Sequence, residues 1–330
     1  MNISSLRRLT HLILLSISTV ILVSACRTTA DTSITSYKQP VEDCRIVQHI
    51  MGSTCIPRNP QWVVNLAADT LANCWALGVR PIASPYPTGF PFPKYLQGKV
   101  DQVESVGDYK TPNLEKILRL KPDLIIYDSQ YELQLKDIYK KLSYIAPTVV
   151  LNTPFPPPSW KVMFEELAQV LGKEEVGQQL MYQYWQRVET IKEMLGEQRT
   201  NMKVSIGNTS SEYGIWSYGE KHFSGSVLKD IGLQRPKSQR GDFHYIENIS
   251  KEKISDLDGD VLFFVTMERE DDKKTLEKLK QSPLWSQLEV VQKNKVYVVG
   301  GHWHNQDIFA INAILDDLEK YLVNTPQTYD

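Results

Sequence analysis

Asn113-Leu114-Glu115-Lys116-Ile117, with Leu120, Pro122 and Asp123 behind it and the apolar run Leu124-Ile125-Ile126-Tyr127 after that, reads as a short helix, a turn and a buried strand. The same arrangement returns as Ser250-Lys251-Glu252-Lys253-Ile254, then Leu257, Gly259, Asp260 and Val261-Leu262-Phe263-Phe264-Val265, aligned position for position with no gap. Upstream of the second copy, Ser226-Val227-Leu228 with Ile231-Gly232-Leu233 echoes a helix that ends at Gly78-Val79. Two distant copies of one unit predict two similar lobes, since a solenoid needs at least three stacked repeats. Short apolar strands alternating with helices make each lobe α/β. Trp62-Val63-Val64-Asn65-Leu66 is another such strand, Asp69 is a candidate N-cap, and Leu71, Cys74, Trp75 and Leu77 follow at helical spacing until Gly78.

Between the lobes, residues 160–195 are helical in pattern with an interruption at Leu171-Gly172-Lys173. Val176, Leu180, Tyr184, Val188, Ile191 and Leu195 form one apolar stripe, which predicts a continuous amphipathic helix over 173–195. At 1.5 Å per residue it spans about 35 Å, the length of a lobe pair. One stiff helix, in place of several flexible crossover strands, limits hinge motion. Pro154, Pro156, Pro157 and Pro158 close off the first lobe ahead of it.

The chain opens with Arg7 and Arg8, an apolar stretch over 12–23 diluted by Ser16, Ser18 and Thr19, and then Val23-Ser24-Ala25-Cys26. That is a charged n-region, an apolar h-region and a small-residue cleavage site, and the run is too short for a membrane span of about 20 residues. A Thr- and Ser-rich stretch over 27–38 reads as a flexible tether. Cys44 and Cys55 flank a Gly-containing segment; outside the cytoplasm such a pair favours a disulfide, and a hairpin would bring the sulfurs together. A loop of that size contributes about 3 kcal/mol in the chain-entropy picture. Cys74, beside Trp75 and Leu77, is a small buried hydrophobe. The expected layout is a signal peptide over 1–25, tether and hairpin over 26–56, an N-terminal lobe over 57–158, connecting helices over 159–196 and a C-terminal lobe over 197–330.

Removing residues 1–25 takes away two arginines and no carboxylate, so the formal net charge moves from −2 to −4. Nothing here makes a basic nucleic-acid surface. With 42% hydrophobic and 23% charged residues the whole chain is of ordinary globular composition. There is no Gly-x-Ser-x-Gly elbow, no His-Glu-x-x-His and no phosphate-cradling Gly-rich loop ending in Lys-Ser or Lys-Thr, which argues against an enzyme.

The matched segments, the Val23-Ser24-Ala25-Cys26 lipobox and Phe223-Ser224-Gly225-Ser226-Val227-Leu228 together resemble the helix-linked periplasmic substrate-binding lipoproteins of iron-siderophore ABC importers. The resemblance runs from about residue 57 to 322 and includes Val296-Tyr297-Val298-Val299 with the helix that follows; it is nearest the ferric dicitrate and hydroxamate branch. Trp62 departs from it, since relatives commonly carry arginine there. The resemblance implies two Rossmann-like α/β lobes joined by one long helix with a ligand cleft between them. It also implies acylation of Cys26 and anchoring at the periplasmic face of the membrane. The partners implied are a ferric siderophore and a dimeric ABC permease; the protein is expected to be monomeric, with no cofactor of its own and Fe³⁺ only as part of the cargo. Haem and cobalamin proteins share the architecture and remain alternatives.

Ligands of open α/β lobes sit at the carboxyl ends of the strands. Those ends point to residues 83–95 with Tyr86 and Phe90, to Asp128-Ser129-Gln130-Tyr131, to residues 213–223 with Trp216, Tyr218 and His222, to residues 240–245, to Met267-Glu268-Arg269, and to Gly301-His302-Trp303-His304. Arginine pairs carboxylate oxygens and aromatics supply flat apolar area, which selects Arg240 and Arg269 with Tyr86, Ser129, Tyr131, Trp216, Tyr218, His302 and Trp303 as ligand contacts. His302-Trp303-His304 with Asp307 invites a zinc or manganese reading, but such sites draw on both lobes and the first offers only His49, so no direct metal site is expected. Glu115 and Glu252, at one position in the two copies, are expected to dock the two halves of the permease, one carboxylate per lobe. Ser224 or Ser226 is explained as a helix cap.

Replacing Cys26 by serine is expected to abolish lipidation. Metabolic labelling with a radioactive fatty acid checks it, and equal label in Cys26→Ser and the parent protein defeats the lipoprotein reading.

Overall fold

The computed structural model describes residues 44–67, 70–86, 92–130, 132–210, 212–267 and 269–324. The signal segment, Cys26, the tether, Asp69, Phe90, Tyr131 and Glu268 lie outside them. Among the described residues no helix is long and apolar enough to cross a membrane.

An antiparallel hairpin comes first, β1 (Cys44–His49) with β2 (Gly52–Pro57), and the Cys44 and Cys55 sulfurs are bonded across it. His49 holds its tight turn, accepting from Met51 N at Nδ1 while Nε2 meets Thr54 Oγ1 at 2.9 Å. The hairpin is fastened to the body by Arg45, whose guanidinium donates to the carbonyls of Gln169 and Val170 in the last turn of a helix, where unpaired carbonyls concentrate negative charge.

Two five-stranded sheets follow. The first has the order β5-β4-β3-β6-β7, all parallel, from β3 (Val63–Asn65), β4 (Ala83–Ser84), β5 (Glu104–Ser105), β6 (Leu124–Asp128) and β7 (Thr148–Leu151). The second has the order β10-β9-β8-β11-β12, from β8 (Val204–Ser210), β9 (Gly214–Tyr218), β10 (Tyr245–Ile249), β11 (Val261–Val265) and β12 (Val296–Val299). Strand for strand this is the first order again, except that β9 folds back antiparallel on β8. The repeat has a polar counterpart. Asp123 accepts from the backbone of Gln61 and Trp62 just ahead of β3 while its own N–H donates to the Trp62 carbonyl. In the second copy Asp260 accepts from Lys203 N just ahead of β8, and its N–H donates to the Lys203 carbonyl. One aspartate thus starts the central strand pair of each lobe, which is why Pro122-Asp123 and Gly259-Asp260 align.

The helices are α1 (Leu71–Ala76), α2 (Leu114–Leu120), α3 (Glu132–Ile145), α4 (Trp160–Leu171), α5 (Glu174–Leu195), α6 (Phe223–Ile231), α7 (Glu270–Lys280), the single turns α8 (Pro283–Ser286) and α9 (Glu289–Gln292), and α10 (Ile308–Leu318). Three local expectations change. The N-cap residue of α1 is Thr70, whose hydroxyl lies 2.6 Å from Asn65 Oδ1 and 3.0 Å from Ala67 O, with its one proton between them, and makes no side-chain cap bond. The cap of α6 is His222, whose Nδ1 accepts from Ser224 N. In the second repeat, residues Lys251–Leu257 are 3₁₀ and kink at Lys253, and Ser250 makes no side-chain cap bond, whereas Asn113 Oδ1 caps Lys116 N in α2.

The long helix is present, but its first turns face inward by a different edge. Gly177 and Met181 are buried with Tyr184, Val188, Ile191 and Leu195, while Val176 is 41% exposed. Gly177 decides this: a Cβ built there would lie 2.9 Å from the Ala168 Cβ, so glycine lets α5 close onto α4. The helix pair then docks on the second lobe through Asp230 of α6, which takes the Tyr184 hydroxyl and the Lys161 ammonium, both at 2.5 Å. Trp160 meets Tyr184 edge-on at 5.0 Å, an arrangement that adds about 0.5–1.5 kcal/mol to area burial. One apolar core runs from Val63, Ala67 and Cys74 through Phe164, Leu167 and Val188 to Ile206, Leu228 and Ile311, crossing from lobe to lobe. Within it burial pushes the Cys74 thiol up to about 12, as suits an inert core cysteine.

Gly177→Leu is expected to destabilise the protein by about 1–3 kcal/mol through overpacking against Ala168, although leucine is the better helix former. Urea denaturation of this variant beside Val176→Leu, at the exposed neighbour, checks it.

Candidate functional site

The carboxyl ends of both sheets open into one cleft. Its smaller chamber, about 160 Å³, is lined from the first lobe by Thr70, Asn73, Asp128, Gln130, Thr153, Phe155 and Pro157, and from the second by Phe223, Tyr245 and His304 to Gln306. Thr70 and Asn73 follow β3 and Asp128 ends β6, so this wall stands where the strand order of the first sheet reverses. The larger chamber, about 610 Å³, is lined by Phe92 to Tyr95 and Gln97 on one side and by Met267, Arg269, Gly300, Gly301, His302 and Asn305 on the other. It falls in the usual range for small-molecule sites. Asn305 belongs to both chambers.

The partition between them is a bridge of hydrogen bonds from lobe to lobe. Tyr95 of the first lobe donates to Asp307 Oδ2 at 2.6 Å and accepts from Asn305 Nδ2 at 2.8 Å. Asp307 also caps α10, accepting from Phe309 N and Ala310 N. Asn73 of α1 completes the cap from the other lobe by accepting from Ile308 N at 2.9 Å. On the far side His244 reaches the Pro157 carbonyl, and burial holds its imidazole below the ordinary histidine value.

Charge is distributed unevenly. Among the described residues, the larger chamber is lined by the basic side chains Lys94, Arg269 and His302. Asp272, itself buried, grips Arg269 through Nε at 2.9 Å and holds the guanidinium charged, and Asp317 takes His302 Nε2 at 2.7 Å. Asp272 and Asp317 thereby fix the directions in which the Arg269 and His302 side chains point.

Several residues selected from the sequence are elsewhere. Trp303 is fully buried, stacks on Phe263 at 4.5 Å and donates to Asp317, because the turn after β12 tucks it under the lobe; it is a core residue. Tyr218 is fully buried as the last residue of a strand between two others, and no ligand reaches it in this conformation. Ser129 is buried and accepts from Thr153 N, so it positions a chamber residue without lining the chamber. Arg240 is exposed, with Nε held by the Arg235 carbonyl, and lines neither chamber. Trp216 and Tyr86 are not among the described lining residues of either chamber but pack on residues that are, Trp216 against His304 at 5.6 Å and Tyr86 against Phe92 at 4.7 Å. Arg269 and His302 do line the larger chamber. Among the described residues no group of three or more His, Cys, Asp or Glu side chains converges to hold a metal ion.

The loop after β7 was missed. Thr153, Phe155 and Pro157 line the smaller chamber, and Phe155 is 69% exposed on a run of prolines that reads in sequence as a lobe terminator. Recognising Thr148-Val149-Val150-Leu151 as a strand would have placed this loop at a carboxyl end. Lys94 was passed over for the aromatics around it. Glu115 and Glu252 are exposed, each the second residue of its helical segment, and a hydrogen bond from its own backbone N–H, followed by one from Ser250, holds the Glu252 carboxyl below the usual range.

The comparisons with known proteins agree with this architecture. The periplasmic binding protein family matches residues 81–301. The chain is 32% identical over 321 residues to the probable siderophore-binding lipoprotein YfiY of Bacillus subtilis, covering 93% of this chain and 95% of that one. It is 28% identical over 279 residues to the Fe(3+)-citrate-binding protein YfmC of the same organism, covering 84% of each. SirA of Staphylococcus aureus, solved with staphyloferrin B, superposes with a TM-score of 0.70 at 27% identity, covering 84% of this chain and 98% of that one. With its repeat-built lobes, its cleft at the strand ends and these matches along most of its length, the chain belongs to the periplasmic binding protein family.

Proposed function

We propose that this protein captures an anionic ferric siderophore, of citrate or hydroxamate type, in the interlobe cleft and delivers it to an ABC permease. The observation that carries the reading is the larger chamber, about 610 Å³ between the lobes, whose described lining combines Lys94, Arg269 and His302 with Phe92, Tyr95 and Met267. A ferric complex wrapped in citrate or hydroxamate groups presents oxygen acceptors outward with hydrocarbon between them. Lysine and arginine meet the oxygens, and Phe92, Tyr95 and Met267 meet the hydrocarbon. The similarity to proteins named for siderophore and Fe(3+)-citrate binding supports the same substrate class. The protein acts by binding and release without catalysis, outside the cytoplasm, held to the membrane by a lipid on Cys26.

Glu115 and Glu252 are proposed as the contacts to the permease. They occupy matched positions, both are exposed, and a transporter built from two related halves would present one basic partner to each. Exposed charges of this kind steer association and leave ligand affinity untouched.

Tryptophan-fluorescence titration of the purified protein tests the ligand, with ferric dicitrate, a ferric trihydroxamate, haem, cobalamin and Zn²⁺ as probes. Micromolar or tighter quenching by a ferric complex is expected, and quenching by haem, cobalamin or Zn²⁺ alone rejects the reading. Lys94→Ala and Arg269→Ala are each expected to weaken the ferric complex by about 2–5 kcal/mol where the partner is buried on binding; Arg240→Ala, remote from both chambers, leaves it unchanged. The pair Glu115→Arg and Glu252→Arg is expected to slow uptake of ⁵⁵Fe-labelled complex by cells at unaltered affinity in solution; normal uptake in the double variant removes the docking role.

A further inference from the structure

The helices on one side of the first sheet bury one face and turn the other to solvent. Ile117 of α2 and Tyr139 and Leu142 of α3 pack inward with Ile125 and Val150 of the strands. Helical spacing then puts Leu118 and Arg119 on the outer face of α2, and Lys140, Lys141 and Tyr144 on the outer face of α3. Leu118 is 58% and Tyr144 69% exposed; the three cations are exposed too, and form no ion pair among the described residues. Glu115 and Asp137 are the carboxylates that share these two faces. The helix dipole favours Arg119 in the last turn of α2, but Lys140 and Lys141 precede the last turn of α3 and are not explained by it. The internal repeat separates what the fold needs from what this face adds. Ile117, Leu120 and Asp123 recur as Ile254, Leu257 and Asp260, whereas Leu118, Arg119 and Lys121 stand where the second copy has Ser255, Asp256 and Asp258. The inward positions are kept, and the outward ones change from apolar and basic to polar and acidic. The hairpin that begins at Cys44 stands on the same side, with Met51 against the same core and His49 edge-on to Tyr139 at 5.8 Å.

We propose that this outer face of α2 and α3 is a contact surface for anionic lipid headgroups, on which the first lobe rests against the membrane that holds the anchor. This rests on the reading that Cys26 carries a lipid and goes beyond it. Residues 27–43 separate Cys26 from the hairpin, and an extended chain of that length reaches at most about 60 Å. The bilayer is therefore always near, at an effective concentration where a weak attraction decides orientation. Each lysine or arginine close to an anionic surface strengthens attachment about fivefold. Lysine and arginine stems lie along apolar surface with their charges in the headgroups, and a tyrosine ring suits the same level. The formal charge of the chain is −2, so a surface without this patch would have no electrostatic reason to face such a membrane. Glu115, on the outer face of α2, is then turned toward the membrane, where a permease half would meet it.

The test uses the protein purified from membranes and reconstituted on phosphatidylcholine vesicles with or without phosphatidylglycerol, each holding a lipid with a nitroxide on its headgroup as quencher. A dye is attached in Asp137→Cys, on the outer face of α3, or in Lys274→Cys, on α7 of the second lobe; Cys74 is buried and stays unlabelled. With phosphatidylglycerol present, quenching at the first site is expected to exceed that at the second about threefold or more. The excess is expected to disappear in phosphatidylcholine alone, in 1 M salt, where screening acts within about 3 Å, and in the triple variant Arg119→Glu, Lys140→Glu, Lys141→Glu at unaltered affinity for the ferric probes. Equal quenching at the two sites, or an excess indifferent to salt and lipid charge, overturns the proposal, and the salt and lipid arms decide it even if the triple variant does not fold. Slowed uptake by the triple variant in cells, with equal quenching at both sites in vesicles, assigns the face to the permease and likewise overturns the lipid contact. If the protein floats with neither kind of vesicle, the anchor reading fails and this role fails with it; if it floats with both and only the quenching outcomes fail, the anchor reading stands alone.

Discussion

The shared apolar core is the constraint on which the rest depends. In a two-lobed binding protein with separate cores, the cleft is a variable gap. Here Phe164, Leu167, Tyr184 and Val188 of the helix pair pack against both sheets within one cluster. Core packing at near-crystalline density resists small displacements, so cleft residues from opposite lobes are held at fixed separations. That is what allows Tyr95 to reach Asp307, and Asn73 to cap a helix of the other lobe, at ordinary hydrogen-bond distances. The close approach of α4 and α5 at Gly177 is the local condition for this core, and Asp230 ties it to the helix whose first residue lines the smaller chamber.

Within that frame the two chambers differ in chemistry. In the larger one, Arg269 and His302 are oriented by Asp272 and Asp317. The smaller one is backed by neutral rings. His222 is fully buried with its Nδ1 facing Ser224, and burial, followed by the nearby His304, His244 and Arg235, holds it well below the ordinary histidine value. Arg235, buried beside it, is satisfied by the Val204 and Tyr218 carbonyls and by Gln239. Binding to pre-oriented groups loses less on ordering than binding to mobile ones.

Much of the fold was legible because it rests on local chemistry. The matched segments announce themselves through apolar spacing and the Asp123 and Asp260 positions, and both aspartates do the same backbone work in the structure. The Cys44–Cys55 hairpin and the break at Gly172 follow from short-range turn chemistry in the same way. The cleft loops, too, could be placed by the rule that strands end at the ligand, and the one that escaped followed β7, a strand that had not been recognised.

Which side chains of those loops face the cavity was not legible. Trp216, Tyr218 and Trp303 have the composition of ligand contacts and are not among the described lining residues, while Lys94, Asn305 and His304 are. The sequence by itself determined the lobes, their repetition, the helix between them and the class of loops that meet in the cleft, because period, turn residues and capping act within a few positions of one another. Only the tertiary structure decided that the first turns of α5 bury Gly177 in place of Val176 and that Trp303 stacks on Phe263 and donates to Asp317. Each of these depends on a partner from another segment, Ala168 for Gly177 and Phe263 with Asp317 for Trp303, and such a partner becomes a neighbour only when the core closes.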